Sequence, residues 1–273
     1  MHLRFVRPIA QLSRYVAKLW VFGSEGRLPA QDLRLFVPNG MVKLIVPFKN
    51  GLVGQLGDQS HLSQEHGMTL IGVCDRAATI DVERDAASGS IGIELYPHSA
   101  YRFFRIAQHH ICNRIYRLSE VAGPAAHTVE DRIAATDDVD RKVALVQQFL
   151  VEQLDTRVTD DLFAYCVARI EASGGAITVR DLERSTGYSA RWLRAVFHDR
   201  LGVGPKRLAS IVRFDRCYRM LSRPDSGDAL RRDLHALYYD ESHFVRDFTR
   251  FTGRSPARLW QSGNAFGDLF YRS

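Results

Sequence analysis

Cysteine is scarce in this chain: there are four, Cys74, Cys112, Cys166 and Cys217, and none forms a Cys-x-x-Cys pair. That scatter excludes a disulfide scaffold and a thiolate zinc knuckle, and fits buried thiols in a reducing compartment. Long apolar runs are also missing. No stretch approaches the roughly 18 apolar residues of a membrane span. The opening MHLRFVRPIAQLSRYVAKLW has no apolar core ending in a small-residue cleavage site. The expected location is the cytoplasm, with no membrane partner. The serine nucleophile elbow, the Walker loop and the His-Glu-x-x-His zinc motif are absent too. No catalytic residue, metal or cofactor is therefore expected. Lysine nearly vanishes in one region: of 17 basic residues between positions 175 and 260, only Lys206 is a lysine.

What is present supports a folded protein. With 273 residues, 45% of them hydrophobic, the chain can bury one large or two ordinary cores, which excludes global disorder. The net charge of +6 is unevenly spread. Residues 1–159 hold 18 basic and 17 acidic residues, whereas 160–273 hold 19 and 14. A basic excess in one half points to a polyanion partner, and arginine forks onto phosphate or guanine as lysine does not.

The pattern changes along the chain. LRLFVPNGMVKLIVPF (33–48) shows two apolar runs around Pro38-Asn39-Gly40, a strand–turn–strand signal. TLIGVC (69–74), ATIDVE (78–83) and SIGIELY (90–96) read as further strands, so a small sheet or barrel is expected. From Ala100 no strong alternation appears. Residues 140–154 place Val143, Val146, Phe149, Leu150 and Leu154 on one stripe, an amphipathic helix, and 160–172 reads as another. The expected fold is α+β. A β-rich, small-barrel or cupin-like domain with helices spans 1–157, and an all-α domain spans 158–265.

The helix signals after Ser173-Gly174-Gly175 are sharp. Thr178 caps VRDLERST with Asp181 three residues on, in a capping-box-like position. Gly187 ends that helix and Ser189 caps the next. Leu193, Val196 and Phe197 share the inner face of the second helix, and Arg191, Arg194, Ala195 and His198 the outer one. Trp192 reads as a packing residue. A helix, a glycine turn and a helix with a basic outer face make a helix-turn-helix unit. The stretch 238–260 repeats 187–209: Phe244 precedes Phe248 as Leu193 precedes Phe197, and Gly253 and Pro256 repeat Gly202 and Pro205. Between them ASIVRFDRCYRMLS (209–222) reads as a long connecting helix.

These residues carry a resemblance. Residues 160–263 resemble the DNA-binding domain of the AraC/XylS family of bacterial transcription regulators, in which a helix joins two helix-turn-helix units. In the second unit Tyr238, Asp240, Ser242, His243, Phe244, Arg246, Phe248, Gly253 and Pro256 match the family pattern. Leu237 stands where a turn glycine is usual, Glu183 stands where alanine is usual, and the preceding ALRRDLHAL lacks the usual apolar–alanine spacing. Pro38, Asn39, Gly40, Lys43, Leu44 and Ile45, with Gly92, Ile93, Leu95, Pro97 and Ala100, resemble sensory domains attached to some family members.

The resemblance implies a sequence-specific transcription regulator on double-stranded operator or promoter DNA. An effector of unknown identity at the amino-terminal half, RNA polymerase and a second copy of the chain are its other expected partners. Base-contact candidates are Arg191, Arg194 and His198 in the first unit and His243, Arg246 and Arg250 in the second. Phosphate-contact candidates are Arg180, Ser189, Arg207, Arg213 and Arg258. Trp20, Phe36 and Tyr96 are candidates for lining an effector pocket, with core packing as the competing role. The apolar stripe of 140–154, rimmed by Arg141, Lys142, Gln147, Gln148 and Glu152, either packs on its own sheet or forms a self-complementary dimer face.

Other clusters read as ordinary. His98, His109, His110 and Cys112 lie close in sequence, but adjacent histidines on a helix diverge and rarely share an ion. Cys74 or Cys112 as a redox sensor would need a depressed thiol pKa. The alternative reading of the whole chain is a cupin-like metal enzyme with an accessory helical DNA-binding domain.

Overall fold

A computed structural model describes residues 1–29, 32–222, 238 and 240–271. The ten strands found there form two antiparallel sheets. The larger has the order β1 (His2–Phe5), β2 (Val16–Gly23), β9 (Gly89–Leu95), β4 (Val42–Lys49), β7 (Thr69–Ile71), β10 (Ile115–Arg117). The smaller runs β3 (Leu35–Phe36), β8 (Ala78–Val82), β5 (Leu52–Leu56), β6 (Gln59–Ser63). The strand–turn–strand expectation at 33–48 holds locally but not as a hairpin. Pro38-Asn39-Gly40 turns the chain with Gly40 at φ 78, and then β3 pairs β8 while β4 pairs β9 and β7 in the other sheet.

Both faces of the large sheet are buried. On β2, Leu19 and Val21 join one core, and Trp20 and Phe22 join a second between the sheets. Strands buried on both faces read as continuous apolar runs rather than as alternation. The first core continues into helices: α1 (Ala100–Phe103), α2 (Ser119–Ala122), α3 (Pro124–Ala134) and α4 (Val139–Gln153). The α4 stripe is covered within its own chain. Val143, Val146, Phe149 and Leu150 are core residues, and two of its rim residues are buried as well. Lys142, 2% exposed, donates to the Ile133 carbonyl at 2.6 Å. The Ile9 amide donates to Gln147 Oε1 at 2.9 Å. The stripe thus packs within its own chain.

Among the described residues the helical half holds α5 (Asp161–Ala172), α6 (Val179–Thr186), α7 (Ala190–Leu201), α8 (Pro205–Leu221), α9 (Glu241–Thr252), α10 (Pro256–Ser262) and α11 (Ala265–Asp268). Element type changes near residue 157, but the core does not break there. Phe163, Cys166, Leu193, Phe197 and Leu208 belong to the same cluster as the large sheet. A separate cluster joins α8 to α9 through Phe214, Tyr218, Phe244, Phe248 and Phe251. Leu237 and the ALRRDLHAL segment lie outside the described residues.

Candidate nucleic-acid interface

The first unit is assembled by local chemistry. The Thr178 side chain accepts from the Asp181 amide at 3.2 Å, and the Thr178 amide donates back to Asp181 Oδ2 at 3.1 Å. This full capping box satisfies two orphan donors of α6. The hydrogen bonds from Thr178 hold the Asp181 carboxyl below the usual carboxylate range. Gly187 takes φ 75, a left-handed conformation that costs any side-chain-bearing residue, and turns the chain to Ser189. The Ser189 hydroxyl accepts from the Trp192 amide at 3.3 Å and starts α7. Thr178→Ala is expected to lower unfolding free energy by about 0.5–2 kcal/mol, with Thr178→Ser nearly neutral, as read by urea denaturation.

Leu193 and Phe197 anchor α7 inward, where Phe197 packs edge-on to Phe163 at 4.9 Å. Arg191, Arg194 and His198 lie on the exposed face. Trp192 is not a packing residue: it is 38% exposed and stacks at 4.1 Å on Tyr188, itself 44% exposed. The inner face is already filled by Leu193 and Phe197, so the indole stays outside.

The described part of the second unit is built as α7 is. Asp240 caps α9 by accepting from the His243 amide at 2.7 Å, and Gly253 ends the helix at φ 73. Phe244, Phe248 and Phe251 are buried, while Arg246 and Arg250 are exposed. His243 is only half exposed: it packs edge-on to Tyr238 at 5.3 Å, with Nε2 3.7 Å from Asp247 Oδ2. Burial raises the Asp247 carboxyl above the usual range.

The two exposed faces meet. Arg194 of α7 and Arg250 of α9 line one open cleft of about 380 Å³ with Val179 of α6 and with Lys206, Arg207 and Ser210 in the first turns of α8. A second open cleft of about 570 Å³ is lined by Thr249, Gly253, Arg254, Ser255 and Arg258. Among the described residues, no carboxylate lies within 4.0 Å of the side-chain nitrogens of Arg180, Arg191, Arg194, Arg246, Arg250 or Arg258. Sequence reasoning missed Lys206, although its place just after Gly204-Pro205 puts it on the first turn of α8.

Other candidates are held differently. The His198 ring stacks on His109 at 4.4 Å, so it faces the amino-terminal half. Arg207 Nε is 3.0 Å from Asp75 Oδ2, an ion pair to the same half. Arg213 reaches the Gly175 carbonyl at 3.3 Å and lies over the Tyr238 ring, its Nε buried, so packing rather than solvent surrounds it. The Arg200 guanidinium pairs with Asp160 at 3.0 Å and covers the Tyr101 ring at 4.8 Å. Gly202 lies so close to Gln108 and Cys112 that a Cβ there would sit 2.8 Å from the Gln108 carbonyl oxygen.

Trp20 and Phe36 do share one space, between the two sheets, whereas Tyr96 lies elsewhere, stacked on His98 at 5.5 Å. Burial pushes the Cys74 thiol up to about 12 and Cys112 up to about 11, away from the thiolate a redox sensor needs. Of the clustered histidines, His98 stacks on Tyr96, apart from the others, whereas the His109 ring lies 4.1 Å from His110 and 4.4 Å from His198; among the described residues these rings form no group that could hold a metal ion.

A capped helix pair, α6 and α7, and a second capped helix, α9, with buried aromatic and exposed arginine faces on α7 and α9 and with α8 between the units, define a helix-turn-helix DNA-binding protein. Residues 182–262 match the family described as a helix-turn-helix domain, and residues 4–117 match a domain of unknown function. The chain thus carries an AraC-type helix-turn-helix domain behind a β-rich domain, and it is a DNA-binding regulator. No curated protein matches the sequence. Among solved structures, an apo variant of ToxT from Vibrio cholerae is 11% identical, over 88% of this chain and 96% of that one, with a TM-score of 0.49. ToxT from the same organism bound to an unsaturated fatty acid is also 11% identical, over 89% and 94%, with a TM-score of 0.46. The AraC-like transcriptional activator CuxR is 12% identical over 92% and 90%, with a TM-score of 0.27.

Proposed function

We propose that the chain reads a two-part site on double-stranded DNA, with α7 and α9 entering successive major-groove segments about 34 Å apart. The observation that carries this is the likeness of α7 and α9: each is a capped helix that buries its aromatic face and leaves two arginines exposed, Arg191 and Arg194 on one, Arg246 and Arg250 on the other. Arg191, Arg194, Arg246 and Arg250 are the base-edge readers, since they are exposed and have no described carboxylate partner. Arg180, Ser189 and Arg258 take phosphates. His198 and Arg207 join them only when the contacts to His109 and Asp75 open. The amino-terminal domain then acts as the sensory half, taking an effector in the space between its sheets, and the protein works in the cytoplasm.

The test is selection of bound duplexes from a random pool, followed by titration of the enriched sequence at several salt concentrations. A two-part consensus with half-sites about one helical turn apart is expected. Uniform binding to random DNA would overturn the reading. Arg180→Ala or Arg258→Ala should weaken every duplex alike and lower the salt slope by about one. A loss confined to the consensus would move that residue to the base-reading set.

A further inference from the structure

The space between the sheets is already filled, by the chain's own residues 264–271. Phe266 in α11 and Phe270 just after it, 4% and 3% exposed, are four residues apart and point into the second core. Phe270 packs at 4.7 Å on Trp20 and 4.9 Å on Phe36, and Phe266 at 5.1 Å on Phe22. The large sheet makes room for them. On this face β9 carries Ser90, Gly92 and Glu94, and Gly92 lets the Trp20 indole lie against the backbone, where any Cβ would collide. Two of the three residues proposed from sequence for the effector pocket, Trp20 and Phe36, therefore hold a ring of this same chain.

The segment is tied in by polar bonds at both ends. Asn264 bonds β3 twice, accepting from the Leu35 amide at 2.7 Å and donating to its carbonyl at 2.9 Å. The Phe266 amide donates to Asp32 at 2.7 Å. The Tyr271 hydroxyl accepts from the Val37 amide at 2.9 Å and donates to its carbonyl at 3.0 Å. Lys18 Nζ donates to the Phe270 carbonyl at 3.1 Å. The same segment reaches the DNA-binding half: Asn264 Nδ2 donates to the Tyr218 hydroxyl of α8 at 3.0 Å, and α11 directly follows α10. One donor facing this space is unanswered among the described residues. Trp20 is 3% exposed, and its Nε1 is buried without a hydrogen-bond partner. A buried N–H left without a partner is costly, and an occupant with an acceptor would relieve it.

We propose that residues 264–271 are an internal plug standing where a ligand binds. The ligand is a flat apolar molecule of about two fused or linked rings, with an acceptor for Trp20 Nε1. Its entry displaces Phe266 and Phe270 and loosens the hold of the amino-terminal half on α10 and on the Tyr218 end of α8. This rests on the reading of that half as sensory. It adds that the site is self-occupied and that occupancy is exchanged rather than gained. In the plugged state the amino-terminal half also holds His198 and Arg207, so release raises DNA affinity.

The test uses the full-length chain and the fluorescent probe anilinonaphthalene sulfonate. The plug masks the site in proportion to its occupancy, so a plug in place nine-tenths of the time weakens apparent probe affinity about tenfold. Phe266→Ala with Phe270→Ala should therefore bind one probe per chain at least about tenfold more tightly than the wild type, with a cooperative melt retained. Tyr271→Phe, which keeps the ring but loses both Val37 bonds, should fall between. Both variants should bind the selected duplex more tightly, and saturating probe should move the wild type the same way. Unchanged probe affinity in a folded Tyr271→Phe and a folded double variant would overturn the plug. Tighter probe binding with unaltered duplex affinity would overturn its coupling to DNA. The probe measurement needs no DNA, so failure of duplex recognition reads out separately.

Discussion

Phe214→Ala is expected to lower unfolding free energy by about 3–5 kcal/mol, the range for emptying a large aromatic site in a packed core. The position makes the upper part of that range the expectation. Phe214 is fully buried on α8, with Phe251 at 4.8 Å, Phe248 at 5.8 Å and Tyr218 at 5.9 Å. Those neighbours come from α9 and α8 and are themselves buried, so no mobile side chain stands ready to collapse into the gap. A typical domain has only about 5–15 kcal/mol in total. The loss should also be local. The cluster around Phe214 is separate from the core that Phe197 and Leu193 share with the large sheet. Hydrogen exchange should therefore speed up across 241–252 before it does across 190–201. Phe214→Leu, which fills most of the volume, should lose under about 1.5 kcal/mol. Equal effects of the two substitutions, or exchange that rises evenly through both units, would mean that α8 does not carry the second unit as a separate packed body.

The helix-turn-helix geometry was legible because its determinants are local. Thr178 and Asp181 are three residues apart, Gly187 and Gly202 take the left-handed conformations their positions suggest, and Leu193 and Phe197 are one turn apart. The sheets were less legible. VAKLWVFG of β2 buries both faces, so its residues show no period of two to mark a strand. Nothing near Pro38-Asn39-Gly40 says that β3 and β4 enter different sheets, because pairing is settled by partners far along the chain. The same holds for His198 and Arg207, whose partners His109 and Asp75 lie across the boundary between the halves. The segment at 264–271 was missed for a related reason. Its bonds to β3 span 229 residues, and only the i,i+4 spacing of Phe266 and Phe270 hinted at a buried face.

Arg194→Ala and Arg250→Ala are each expected to weaken binding to the selected duplex by about 1–3 kcal/mol, roughly five- to 150-fold, while non-specific binding falls far less. Together they should approach the sum, because each reads its own half-site and well-separated base contacts add. The lysine substitutions separate the roles. Lysine keeps the charge and loses the planar fork. If Arg194 reads a base edge, Arg194→Lys should keep the salt slope and lose discrimination at one position of the first half-site. If it instead meets a phosphate, Arg194→Lys should behave almost as wild type and Arg194→Ala should weaken all sequences alike. The shared cleft sharpens the comparison. Arg194, Arg250 and Lys206 line the same cavity, so a duplex laid across it could meet both arginines on one phosphate strand. In that arrangement the double variant would lose clearly less than the sum, and neither single variant would change the consensus. Additive losses with two separate positions relaxed are the expected result. Strongly sub-additive losses with the consensus intact would turn this cleft into a backbone clamp and shift base reading to Arg191 and Arg246.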